Sequence, residues 1–349
     1  MSFQWDRVPL TLPSGETVQA SAPVILSASR STDVPAFHAE WFMRRLEAGY
    51  LAWVNPFNRQ PHYVSLAKAR AIVFWSKNPR PLLQHLDAID ARGLAYYFQF
   101  TLNDYQREGL EPRVAPLARR LDTFRELSAR LGKERVVWRY DPLMLAPGLT
   151  VDDLLGRIEQ IGDQLAPHTD KLVFSFVDVA HYKKVQNNLV RETQLFDRSN
   201  VLQAELNNPQ RLALVSGLAA LHRRWRAVNP AFELSTCAEE MALEDHGVTH
   251  NKCIDDALLL RIAPHDQALS RFLGVEPQPS LFGSPKAARS LKDTGQRAAC
   301  GCVYSKDIGA YNTCGHLCAY CYANTSAQTV LDNLRRRDAE AEGILPSSS

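Results

Sequence analysis

The chain has 349 residues and a mass of 39.2 kDa, enough for one large domain or two ordinary ones. With 45% hydrophobic and 22% charged residues and a mean hydropathy of −0.26, it has the composition of a globular chain, which excludes disorder throughout. Forty basic against thirty-eight acidic residues leave +2, too balanced for charge alone to suggest a nucleic-acid partner. No apolar run approaches the roughly 18 residues of a membrane span, and the first residues lack a basic flank followed by an apolar stretch. A cytoplasmic protein without a membrane partner is expected.

Residues 1–20 read as an N-terminal extension, a short hairpin or added edge. A rhythm then begins. Apolar, β-branched or aromatic bursts occupy 24–28, 71–75, 95–101, 135–140, 171–177 and 232–236, with a shorter candidate at 50–54. They are near-continuous rather than alternating, as in strands buried on both faces. Amphipathic stretches separate them: 80–93, ending at a C-cap Gly93, then 117–131, 151–165 and 208–228. Strand–helix alternation over 21–262 predicts an α/β fold, a parallel (β/α) barrel, complete or partial. An irregular connection is expected over 263–299, and a helix over 326–341 carrying Arg335, Arg336 and Arg337, read as a solvated face rather than a phosphate patch. The tail 343–349 is expected to be disordered.

The bursts end alike in polar residues: Ser29 to Asp33, Ser76-Lys77-Asn78, Asn103-Asp104, Arg139 to Asp141, Ser175 and Asp178, and Cys237 to Glu239. In a parallel α/β fold these gather at the carboxyl edge, where ligands bind; as helix N-caps they would need no ligand. Asp33 either caps a helix or faces the cavity. Arg139 and Asp141 either pair with each other or contact substrate. Trp53, Trp75 and Trp138 read as core.

Seven cysteines, at 237, 253, 300, 302, 314, 318 and 321, are odd in number, which suits thiolates or metal ligands better than disulfides. Five fall within 22 residues. Cys314, Cys318 and Cys321 have the spacing C-x3-C-x2-C. Zinc sites favour four ligands in two separated pairs, and a purely electron-carrying cube takes four cysteines. Three thiolates leave one iron open for chemistry. His316, inside this loop, is expected at the surface. Cys237, Cys253, Cys300 and Cys302 remain. They form a second fully ligated cluster or zinc site, or Cys237 and Cys253 are simply buried small hydrophobes.

The three-cysteine loop with an aromatic before its last cysteine, Tyr320, resembles the cluster loop of the radical S-adenosylmethionine superfamily. The phrase from Asp307 to Asn324 is similar to its spore photoproduct lyase-like branch. The whole chain, including Ser29 to Asp33, Phe74 to Pro79, Trp138 to Pro142 and Cys253-Ile254-Asp255, resembles the DUF1848 family. The resemblance implies a [4Fe–4S] cluster on Cys314, Cys318 and Cys321. S-adenosylmethionine would chelate its open iron and be cleaved by one electron to a 5′-deoxyadenosyl radical, with an unknown substrate and an electron donor such as flavodoxin or ferredoxin. By the same resemblance Tyr320 packs near the adenine, and Lys77, in the strand-end pair with Ser76, contacts the methionine carboxylate, with Asp33 in the same cofactor-binding group. Cys237 would serve as a thiol hydrogen donor. No counterpart of the superfamily's Gly-Gly-Glu is present. The superfamily loop usually follows the first barrel strand; here it lies near the C-terminus. A circular permutation reconciles the two, with 300–309 as the first strand and 300–342 as the cluster loop and closing helix of the same barrel. The alternative is a zinc- or iron–sulfur-stabilised nucleic-acid-binding protein without radical chemistry.

Overall fold

The computed structural model describes residues 3–55, 58, 60–275 and 291–345. Strands β1 (Asp6–Thr11) and β2 (Thr17–Ala22) form the expected antiparallel hairpin, turned at Gly15, whose φ of 87° needs a residue without a Cβ. After β3 (Ile25–Ala28) come α1 (Val34–Phe37) and α2 (Ala39–Ala48), then β4 (Tyr50–Val54) and β5 (Pro61–Ser65). Strand β4 does not join the main rhythm. It pairs antiparallel with β5, which touches β2, giving a small sheet in the order β1-β2-β5-β4.

The rest of the chain supplies β6 (Ala71–Ser76), α3 (Arg80–Leu83), α4 (Leu86–Asp90), β7 (Ala95–Thr101), α5 (Leu117–Leu131), β8 (Val136–Leu143), α6 (Val151–Leu165) and β9 (Lys171–Phe176). There follow α7 (Lys183–Glu192), α8 (Asn208–Val228), β10 (Glu233–Thr236), β11 (Val248–His250), α9 (Asp256–Ile262), α10 (Gln267–Phe272), β12 (Lys306–Asp307) and α11 (Ala327–Arg335). The large sheet has eight strands in the order β11-β10-β9-β8-β7-β6-β3-β12, every pair parallel. It is an α/β fold whose ladder is open, with β11 and β12 at its edges. The chain flanking those edges meets: Val303 N donates to Ile254 O at 3.2 Å, and Ile254 N to Cys302 Sγ at 3.3 Å.

Four expectations are corrected. The stretch 80–93 is two short helices, because around Gln84 and His85 the ladder gives way to tighter turns such as His85 N to Leu82 O. Within 300–309 only Lys306 and Asp307 pair as a strand, since the segment before them packs across the sheet's face instead. The last helix stops at Arg335 rather than 341, and Gly343 to Leu345 are held against β4, with Ala52 N donating to Glu342 O at 2.9 Å and Ile344 buried. The irregular connection holds a helix, α10. Residues 276–290 of that connection and 346–349 of the tail lie outside the described residues.

The parity of the strands decides what each face carries. Ile72, Phe74, Tyr96, Phe98, Phe100, Trp138, Leu172 and Phe174 pack against Leu121, Phe124 and Leu127 of α5, Ile158 and Ile161 of α6, and Leu214, Leu218 and Trp225 of α8. Helices α6 and α8 each begin with a capping box, Thr150 with Asp153 and Asn207 with Gln210. The opposite face carries Ile25, Ala71, Val73 and Tyr97, covered by α9, α10 and the segment from Cys300 to Val303. Towards the carboxyl ends this second face turns polar: Ser27, Trp75, Gln99, Arg139 and Ser175. The parallel strands thus aim their polar ends at one place.

Candidate functional site

Strand β12 runs parallel to β3 and delivers the three-cysteine loop to the carboxyl ends of β3, β6 and β7. Its anchor is Asp307, whose carboxylate accepts from Ser29 Oγ at 2.7 Å, Arg30 N at 2.8 Å and Gly309 N at 2.9 Å, with Ser27 Oγ at 3.2 Å. A Cβ on Gly309 would fall 1.9 Å from Ser29 Oγ, so only glycine lets the two backbones meet here. The loop is then held from outside, by Ala319 N to Leu110 O at 2.9 Å and by His38 Nε2 with Thr313 O at 3.1 Å. Asn312 and Leu317 sit at φ of 61° and 56°, a left-handed conformation worth about 1–3 kcal/mol of strain that the surrounding bonds must hold.

The three thiols are close enough to act on one another electrostatically. Burial pushes Cys314 up to about 12, reinforced by Asp33, and raises Cys318 and Cys321 as well. Smaller effects oppose this: the backbone N–H groups of His316 and Asp33 lower Cys314, those of Ala323 and Asn324 lower Cys321, and the Lys77 ammonium lowers Cys318. These donors and this cation favour thiolates.

Beside Cys318 lies a buried polar network. Lys77 Nζ donates to Glu111 Oε1 at 2.7 Å and to Tyr320 OH at 3.0 Å; Tyr320 OH donates to the same Glu111 oxygen in a short bond. Asn103 Nδ2 reaches Glu111 and Tyr320, both at 3.3 Å, and Asp141 O at 3.1 Å. Burial alone would raise the Glu111 carboxyl, but the Lys77 ammonium and Arg120 hold it at about 2. Lys77 is therefore an enclosed, charge-paired lysine rather than a surface one. Its own backbone N–H donates to Asp33 Oδ2 at 2.7 Å.

Of its two readings, Asp33 shows the helix cap, and its second oxygen serves buried neighbours. Oδ1 caps α1 through Ala36 N at 2.9 Å, and Oδ2 accepts from His316 Nε2 at 2.7 Å and from Lys77 N. Burial would raise this carboxyl; His316, the Lys77 N–H and the Ser76 hydroxyl lower it. Ser76 Oγ also accepts from Asn78 N at 3.0 Å. His316 is not at the surface as expected but only 2% exposed, drawn in by Asp33 and by the edge of Phe37, and its Nδ1 is buried without a partner. Arg139 and Asp141 do pair, Nε to Oδ2 at 3.0 Å. Trp138 is fully buried core, whereas Trp75 lies beneath the Arg30 and Arg139 guanidiniums, 5.4 and 5.1 Å from its ring centre.

A family model described as a domain of unknown function (DUF1848) matches residues 25–323. The chain belongs to the DUF1848 family. No curated protein and no solved structure matches it.

In this DUF1848 protein the four other cysteines, far apart in sequence, also come together. Cys237 Sγ lies 3.3 Å from Cys253 Sγ, and Cys300 and Cys302 pack in the same buried cluster. The DUF1848 chain so gathers the thiols singled out from its sequence in two sets, Cys318 and Cys321 with one core cluster and the other four with the cluster on the opposite face. Among the described residues, no group of three or more His, Cys, Asp or Glu converges so as to hold a single metal ion, and no helix is long and apolar enough to cross a membrane. Sequence reasoning placed Asn103 at the carboxyl edge but missed Glu111 and the anchoring role of Asp307. Glu111 sits in the irregular 102–116 segment with no motif around it. Asp307 was visible in the phrase before the first cysteine, but its partners at Ser29 and Arg30 are 278 and 277 residues away.

Proposed function

We propose that the protein is a radical S-adenosylmethionine enzyme built on a permuted, partial (β/α) barrel, working in the reducing cytoplasm. The observation that carries this reading is the C-x3-C-x2-C loop, delivered by a parallel strand to the carboxyl edge of the sheet beside the buried Lys77. A cube does not need its three thiolates on one ion, because each binds a different iron; the lack of a single-ion site does not conflict with it. Cys314, Cys318 and Cys321 would hold the cluster, which when bound supplies the electron that cleaves S-adenosylmethionine to a 5′-deoxyadenosyl radical.

The chain's own residues then have definite tasks. Lys77, locked between Glu111 and Tyr320, sets a fixed positive charge beside Cys318 that offsets thiolate charge. Because its ammonium already has two partners, a methionine carboxylate would join that network as a third acceptor. Tyr320 is held by Glu111 and Asn103, with its ring edge-on to Tyr105 at 6.0 Å, so its position does not depend on ligand. His316 is bonded through Nε2 to Asp33 while its Nδ1 is buried without a partner, so a polar group of the cofactor would find an open site there. The loops that bury these groups exclude water from a reactive carbon. Reducing power would come from a flavodoxin- or ferredoxin-type donor.

The test is release of 5′-deoxyadenosine by anaerobically purified protein given S-adenosylmethionine and dithionite. Release is expected from wild type and absent from Cys318→Ala. Equal release from the two, or none from iron-replete wild type, overturns the reading.

A further inference from the structure

The radical reading uses three of the seven cysteines. The other four lie on the opposite-parity face of the sheet, where Cys237 follows β10, Cys253 follows β11, and Cys300 and Cys302 precede β12. Cys253, Cys300 and Cys302 are buried. Three observations set this group apart from four packed apolar thiols. First, Cys237 Sγ and Cys253 Sγ touch at 3.3 Å, and Cys302 and Cys300 pack in the same buried cluster, near enough to act on Cys253 electrostatically. Second, hydrogen-bond donors converge on them: Arg139 Nη1 on Cys253 Sγ at 3.0 Å, Asn251 Nδ2 on the same sulfur at 3.2 Å, and Ile254 N on Cys302 Sγ at 3.3 Å. Third, the Arg139 guanidinium is fully buried here. Arg139 is already paired with Asp141, yet its Nη1 also reaches Cys253, so the site sets a cation beside sulfur, which favours thiolates over apolar thiols.

Spacing and geometry then choose the ligand. Zinc sites draw on pairs spaced C-x2–4-C, whereas here the separations are sixteen residues and two. The lack of a three-ligand single-ion site likewise argues against one tetrahedral ion. Two thiolates sharing a tetrahedral metal with bonds of about 2.3 Å stand just under 4 Å apart. Two pairs, Cys237 touching Cys253 and Cys300 beside Cys302 in the sequence, match two irons that take two thiolates each and share bridging sulfides. We infer that Cys237, Cys253, Cys300 and Cys302 ligate a [2Fe–2S] cluster, distinct from the three-cysteine loop, with Arg139 as its charge-compensating neighbour. Its position gives it a role in electron handling: Arg139 pairs with Asp141, whose backbone N–H donates to Asn103 Oδ1 at 2.9 Å, and Asn103 reaches Tyr320 beside Cys318. A hydrogen-bonded route thus connects the two cysteine sets.

The test separates this site from the first. The full chain carrying Cys314→Ala, Cys318→Ala and Cys321→Ala is purified anaerobically and reconstituted with ferric iron and sulfide. About two irons and two acid-labile sulfides per chain are expected, with visible absorption and a paramagnetic signal on dithionite reduction. All are lost when Cys253→Ser is added. No iron, about four irons, stoichiometric zinc without sulfide, or a Cys237–Cys253 disulfide in the peptide map each overturns the inference. Where the quadruple variant does not fold by circular dichroism, Cys300→Ser on wild type replaces it. Loss of about two irons, with the remaining iron and 5′-deoxyadenosine release retained, supports the second cluster; unchanged iron refutes it. Failure of the radical reading would leave the triple-variant result standing.

Discussion

The buried pair of Lys77 and Glu111 allows a quantitative test on metal-free protein. Their side chains are 14% and 2% exposed and lie 2.7 Å apart. Glu111→Gln keeps shape and removes the charge, so the Lys77 ammonium stays enclosed without its counter-charge. Two routes give the cost. Breaking a buried pair from one side typically costs about 3–5 kcal/mol. Independently, a carboxyl held at about 2 against an ordinary 4.5 contributes about 3 kcal/mol. The folded value is depressed, so this stability is fully present above pH 4.5 and is lost as pH falls towards 2. Urea unfolding followed by circular dichroism should therefore show Glu111→Gln about 3 kcal/mol less stable at pH 7, with the gap to wild type closing between pH 4.5 and 2. Lys77→Met should also destabilise, and the double variant should lose less than the sum by about 2 kcal/mol or more. Additive losses, or a Glu111→Gln protein as stable as wild type at pH 7, would refute the pairing as an energetic unit.

Further outcomes follow from particular contacts. In α6, a Cβ on Gly156 would meet open space, whereas one on Gly162 would fall 2.0 Å from the Trp225 ring. Gly156→Ala should raise the thermal midpoint through about 0.5–1 kcal/mol of helix propensity, and Gly162→Ala should lower it through about 1–3 kcal/mol of overpacking; equal shifts in scanning calorimetry would count against the α6–α8 packing. Asp307→Ala removes the acceptor of Ser29 Oγ, Arg30 N and Gly309 N, and should cost about 2–3 kcal/mol and reduce iron retained after reconstitution; unchanged iron would dismiss Asp307 as the anchor of the cysteine loop. A Cβ on Gly315 would lie 2.6 Å from Phe37, so Gly315→Ala should lose iron and Gly315→Ala with Phe37→Ala should regain part of it; no recovery in the double variant would place the defect elsewhere.

Periodicity alone determined much of this protein. The continuous apolar bursts at 71–75, 95–101 and 171–177 became central parallel strands, because a strand buried on both faces has no polar side to show. Helices α5, α6 and α8 coincide with their apolar stripes, since each must bury one face against the sheet. The spacing of Cys314, Cys318 and Cys321 was likewise local, so it singled out the loop before any contact was known. Short elements were not legible. Strand β12 has two residues, too few for any pattern, and exists only because β3 offers a free edge. Gln84 and His85 broke a stripe that periodicity ran through, and His316 was drawn inward by a carboxylate 283 residues away.

Only the tertiary structure decided which polar residues meet. Glu111 joined Lys77 and Tyr320, Asp307 joined Ser29, and four thiols spread over 66 residues came together around Arg139. Propensity and periodicity act over one or two turns of chain. A buried charge or thiol is satisfied by whatever the fold carries to it, and that partner has no fixed distance along the sequence.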